Sequence, residues 1–253
     1  MTELRRFFPL IATGMVVAVN AAANILPING LTTGALSDLN PTGFTPAGWV
    51  FSIWTLIYLG VIAYALLCAF DGAEDRKRTD QIGNWYLASA AANIAWIFSW
   101  HYRHVELSLA VMFLLLGTLV AIYKILRRNP SNDWKQVLFV DGTFRIYVGW
   151  ITTATIVNLA AVLHAQQSYP FGLEMNEWAL MSVAAALGIY VWVCVSTRDA
   201  LFGLVFAWAA LGIFYKPVEI TQPVKLIAAT GVAVMTILIA WIVASSLRRR
   251  ATS

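Results

Sequence analysis

The chain has 253 residues, of which 60% are hydrophobic and 12% charged, with a mean hydropathy of +0.71. A soluble domain carries about a quarter charged residues, so this composition cannot clothe a water-facing surface and excludes an ordinary soluble protein. The net charge of +4 does not argue for nucleic acid, because the basic residues follow the gaps between apolar runs instead of gathering in one patch.

A bilayer-spanning helix needs roughly 20 mainly apolar residues. On that rule the sequence predicts eight spans, at about 7–26, 46–69, 84–101, 105–124, 143–163, 177–196, 200–215 and 224–246, the third and seventh short. The fold class is all-α, a polytopic integral membrane protein. MTELRR ahead of the first run has the look of a signal peptide, but the run is longer than a signal core and is read as a retained span. Asn20 and Asn24 within it look built to face other helices.

With the N-terminus inside, thirteen of the 17 basic residues fall in inner segments. Three, Arg103, Lys216 and Lys225, fall outside, and Arg145 lies within the fifth span. The positive-inside rule then puts both termini in the cytoplasm, with a bacterial inner membrane as the expected location. Cys68 and Cys194 each sit inside an apolar run, so neither a disulfide framework nor a metal knuckle is read from them.

The connection after the first span, PINGLTTGALSDLNPTGFT, has no basic group. Its Gly, Asn, Asp, Ser and Pro content predicts an ordered external loop with no helix. A loop of that length before an aromatic span suits a lid. The inner segments DGAEDRKRTD and YKILRRNPSNDWKQ read as solvated connectors, the second with Trp134 as an interfacial anchor. The outer stretch AQQSYPFGLEMNE is the best boundary in the chain, dividing it into 1–165 and 166–253.

The second span, FTPAGWVFSIWTLIYLGVIAYALLCAF, has the densest aromatic pattern. Thr45 is its expected N-cap and Pro46 its first-turn proline, and Trp49, Phe51, Trp54 and Tyr58 gather on neighbouring helical faces. In the fifth span Trp150, Ala154 and Asn158 recur every four residues and share a face. On the residues alone, this pattern serves close helix packing, with Asn bonding across helices, better than it serves a pocket.

Three motifs in order change that balance. Pro46, Gly48, Trp49, Phe51, Trp54, Thr55 and Tyr58 stand in the second span, Asn93 and Trp96 in the third, and Tyr147, Trp150, Ala154 and Asn158 in the fifth. Together they resemble the TspO family, also called translocator proteins or tryptophan-rich sensory proteins, over about residues 7–163. The resemblance implies a TspO-like five-helix bundle with three further transmembrane helices, and a pocket under the first outer loop. It implies that the pocket is lined by Trp49, Phe51, Trp54, Asn93, Trp96, Trp150, Ala154 and Asn158. Family members bind porphyrins such as protoporphyrin IX and haem, so a tetrapyrrole is the implied ligand, with no cofactor required. Membrane lipid, and a homodimer or larger membrane complex, are the implied partners.

A membrane receptor of sensor type is therefore the leading reading, with a transporter or a structural subunit as alternatives. Light-dependent porphyrin breakdown follows from the resemblance only, since no Walker, nucleophile-elbow or HExxH motif is present. Asp141 four residues before Arg145 predicts an i,i+4 ion pair. His101, His104 and His164 are expected as solvated groups at the outer face, not as ligands to iron or another metal.

Overall fold

Helix formation follows the apolar runs closely. The computed structural model describes residues 4–26, 28–39, 42–71, 73–216 and 220–251, with the backbone only for 73–76 and 250–251. Nine α-helices, with short 3₁₀ and π-helical segments between them, make up the regular structure among the described residues, with no strand. They are α1 Phe8–Ile25, α2 Thr33–Asp38, α3 Ile53–Phe70, α4 Ala73–His101 and α5 Val105–Arg128, then α6 Thr143–Ala165, α7 Met175–Thr197, α8 Ala200–Phe214 and α9 Gln222–Ala251. Among the described residues six helical stretches are long and apolar enough to cross a membrane, those containing α1, α3, α5, α6, α7 and α9. The chain is a polytopic helical membrane protein.

The two short spans of the sequence reading correspond to α4 and α8, which are not among those six. Helix α8 has 15 residues and reaches only about 22 Å at ~1.5 Å per residue, against a hydrocarbon core of ~30 Å. Helix α4 has 29 residues, and its first turns are AEDRKRTDQIGN. That stretch was expected as a connector. Its Ala, Glu, Arg and Lys content is strongly helix-forming, so the helix begins before the membrane does.

Two local expectations are also overturned. The external connection contains a helix, α2, because the Thr32 hydroxyl accepts the Ala35 N–H at 3.2 Å and caps it. Pro27, Asn40 and Pro41 of the expected 27–45 lid lie outside the described residues, as do the side chains of Arg76 and Arg250. Thr45 does not cap the second span. Its hydroxyl pairs with that of Thr42 at 2.7 Å, a 3₁₀ turn occupies Gly48–Ser52, and α3 starts at Ile53.

Contacts divide the chain into two bodies, residues 1–39 with 52–151 and residues 40–51 with 152–253. In the first, α4 and α5 form an antiparallel hairpin, while α1 packs on both α3 and α4. A π-helical segment, Gln136–Gly142, leads into α6 and packs on α3. A Cβ at Gly60 would run into Thr143, so the glycine permits this approach. Asp141 is the next-to-last residue of this segment, and its buried carboxylate pairs with Arg78 of α4, not with Arg145 as expected. The π turn changes the rotation of the residues around it, and a partner from another helix takes the carboxylate.

In the second body α7, α8 and α9 pack mutually. A reciprocal capping box of Glu174 and Glu177 starts α7, Arg198 in the left-handed region (φ 55°) ends it, and Asp199 caps α8 through Phe202 N–H. Tyr190 packs on Phe202 and Phe206 and bonds the Thr153 hydroxyl at 2.8 Å. The strip 42–51 belongs here too. Ala47 N–H donates to Gly212 O at 3.0 Å, Trp208 Nε1 to Val50 O at 2.9 Å, and Lys216 Nζ to Thr45 O at 3.0 Å.

Candidate functional site

In the first body an aromatic wall rises from α3. Trp54 stacks on Tyr58 one turn on, with ring centroids 5.4 Å apart. It meets Tyr147 and Trp150 of α6 edge-on at 5.9 and 6.2 Å. Spacings of three and four residues on each helix bring these rings together, and edge-on contacts suit the charge distribution of aromatic rings.

Behind the wall runs a buried chain of amides and a phenol. Asn20 Nδ2 donates to Asn93 Oδ1 at 2.8 Å, and Asn93 Nδ2 donates to the Tyr147 hydroxyl at 3.1 Å. Asn20 therefore faces another helix as expected, whereas Asn24 bonds the backbone of its own helix at Asn20 O. A second polar pair, Thr13 with the Tyr86 hydroxyl, joins α1 to α4. Tyr86 sits edge-on to Tyr64 and Phe144.

Between these two polar links lies a void of about 230 Å³ counting the open space at its mouth, wide enough at its centre for about one water. Its lining comes from four helices: Val16, Ile57, Tyr58, Val61, Tyr86, Ser89, Ala90 and Tyr147. The arrangement combines flat apolar faces with a few fixed hydroxyls, the mixture that orients a hydrophobic ligand.

The eight sequence-predicted site residues divide between the bodies. Trp54, Asn93 and Trp150 gather around the wall and the amide chain, whereas Trp96 stacks instead on Trp100 at 5.8 Å, one turn along α4. Trp49, Phe51, Ala154 and Asn158 belong to the second body. There Trp49 stands edge-on to Trp208 at 4.7 Å, and Asn158 is buried. That body has a void of its own, about 300 Å³, lined mainly by apolar groups that include Phe44, Leu163, Met175 and Trp178.

The sequence reading missed the lining residues Tyr86 and Ser89 and the bonded Thr13. Each sits in an alanine- or valine-rich run where a lone polar residue is a signal of interhelical bonding. His101 also departs from expectation. It is fully buried, with Nδ1 2.9 Å from Ile97 O, and its carbonyl accepts Asn29 Nδ2 at 2.9 Å. The stretch leading to α2 thus binds the end of α4. Among the described residues no group of His, Cys, Asp and Glu is placed to hold a metal ion.

No curated protein and no solved structure matches the chain. A family profile described as TSPO-like protein matches residues 6–244. That span takes in the three C-terminal helices as well as the motif-bearing ones, and by it the chain belongs to the TSPO-like protein family.

Proposed function

We propose that this protein is a membrane receptor of sensor type that takes a flat hydrophobic ligand, a tetrapyrrole such as protoporphyrin IX or haem, against the Trp54–Tyr58 wall. The observation that carries the reading is the wall itself: four aromatic rings from α3 and α6 beside a void with fixed hydroxyls. The space has room at its centre for only about one water, so a macrocycle enters by parting the wall. Trp54 and Tyr58 are the only partly buried members of the wall, so they are the rings a ligand would displace. Charge asymmetry supports an orientation with both termini cytoplasmic, and the membrane proposed is a bacterial inner membrane.

The test is a titration of the purified full chain in detergent with protoporphyrin IX, followed by the Soret band. Saturable binding is expected, weakened about tenfold or more by Trp54→Ala and unchanged by Trp134→Ala, whose ring is 64% exposed. Binding that is not saturable, or that Trp54→Ala leaves intact, refutes the reading.

A further inference from the structure

The hydroxyls around the 230 Å³ void can be assigned donor by donor. Thr13 gives its proton to Pro9 O at 2.7 Å, so in the Thr13–Tyr86 pair the phenol is the donor. Ser89 donates to Tyr86 O at 2.8 Å. Tyr147 accepts from Asn93, which uses the phenol oxygen but leaves the phenol proton with no acceptor among the described residues. Tyr147 is 4% exposed, so bulk water does not serve it. Tyr58, only partly buried, lines the same void, and among the described residues its hydroxyl meets no acceptor. Two phenol side chains therefore line one small space, with no acceptor for either proton among the described residues.

We infer that the void seats an uncharged carbonyl oxygen of the ligand, held by the Tyr58 and Tyr147 hydroxyls. The inference rests on the reading above that a flat hydrophobic ligand enters this site. Space at the centre of the void suits one oxygen, and the aromatic wall takes the apolar remainder. The oxygen is uncharged because no cation among the described residues lines the void, and a carboxylate buried without a partner costs far more than two phenols return. The ligand class is thus a hydrophobic ring system presenting an uncharged carbonyl to this site: an ester, amide or ketone, or, for protoporphyrin IX or haem, a propionic acid in its protonated form.

Three full-length proteins in nanodiscs, wild type, Tyr147→Phe and Tyr58→Phe, are titrated with two probes. Protoporphyrin IX dimethyl ester carries carbonyl oxygens, and etioporphyrin carries none. Wild type is expected to bind the ester about tenfold more tightly, the scale of a hydrogen bond from a buried donor. Each variant should narrow that gap to about twofold or threefold, whatever it does to etioporphyrin affinity itself. Equal affinity for both probes in wild type, or an ester preference that survives both variants, overturns the carbonyl seat while leaving the aromatic site standing. If neither probe binds, the ligand reading fails and this inference with it.

Discussion

Arg78 offers the sharpest test of how the first body is held. Its guanidinium pairs with Asp141, its Nε donates to Asn129 O at 2.6 Å, and its Nη2 donates to Leu126 O at 3.3 Å. The two side chains are 12% and 7% exposed, so solvent screens the pair little. The carbonyls belong to the end of α5, where the last turn has no intrahelical donors. One side chain therefore ties α4, the end of α5 and the π-helical entry to α6. Arg78→Met leaves a buried carboxylate without its cation, and such losses run to about 3–5 kcal/mol. The double variant Arg78→Met/Asp141→Leu replaces both charges by apolar groups of similar size and should recover most of that, because isosteric apolar replacement of a buried pair is close to neutral. Reversible unfolding in mixed micelles at increasing SDS, applied to wild type, both single variants and the double variant, gives the coupling energy. A coupling above about 2 kcal/mol is expected. Additive single effects would refute the claim that this pair is the lock, and would return Asp141 to a role within its own helix.

Three further substitutions probe the packing. Asn93→Leu removes both bonds of the Asn20–Asn93–Tyr147 chain, and at about 0.6 kcal/mol per interhelical bond in a membrane it should cost about 1–2 kcal/mol in the same unfolding assay. Gly60→Ala should cost about 1–3 kcal/mol through overpacking, and Thr143→Ala should relieve it, since the clash is with the Thr143 side chain. Gly212→Ala in the second body drives a methyl into Val50. A similar loss of thermal stability is expected, rescued by Val50→Ala.

The helical class, the order of the apolar runs and the aromatic members Trp54, Tyr58 and Trp150 were legible because period and length are local properties of sequence. Two kinds of feature were not. Pairings across helices depend on rotation, and the π turn at Gln136–Gly142 shifts it in a way no 3.6-residue count anticipates. Asp141 and Arg145, four apart, were matched on that count, and the turn gave Asp141 to Arg78 instead. Composition also misled at both ends of α4. The charged residues at its start read as a connector although they are good helix formers, and His101 at its end read as solvated although Asn29 and Ile97 enclose its polar atoms. The site residues divided for a third reason. Trp49 and Trp54 lie five positions apart in one motif, yet the 3₁₀ turn at Gly48–Ser52 separates the segment that bonds to α8 from the helix that builds the wall.

The strip 42–51 carries a consequence for biogenesis. Its bonds to Trp208 and Lys216 span 158 and 171 positions of chain, so during synthesis the acceptors at Thr45 and Val50 precede their donors by that distance. At about 5–20 residues per second the strip waits roughly 8–34 s before α8 emerges. Until then the Ala47 amide has not met Gly212, and the Trp49 ring has no Trp208 to rest on. A nascent chain that stops before α8 therefore shows its defect far upstream, near residue 47. Proteolytic sensitivity at that strip would report whether the C-terminal third of the protein has been made.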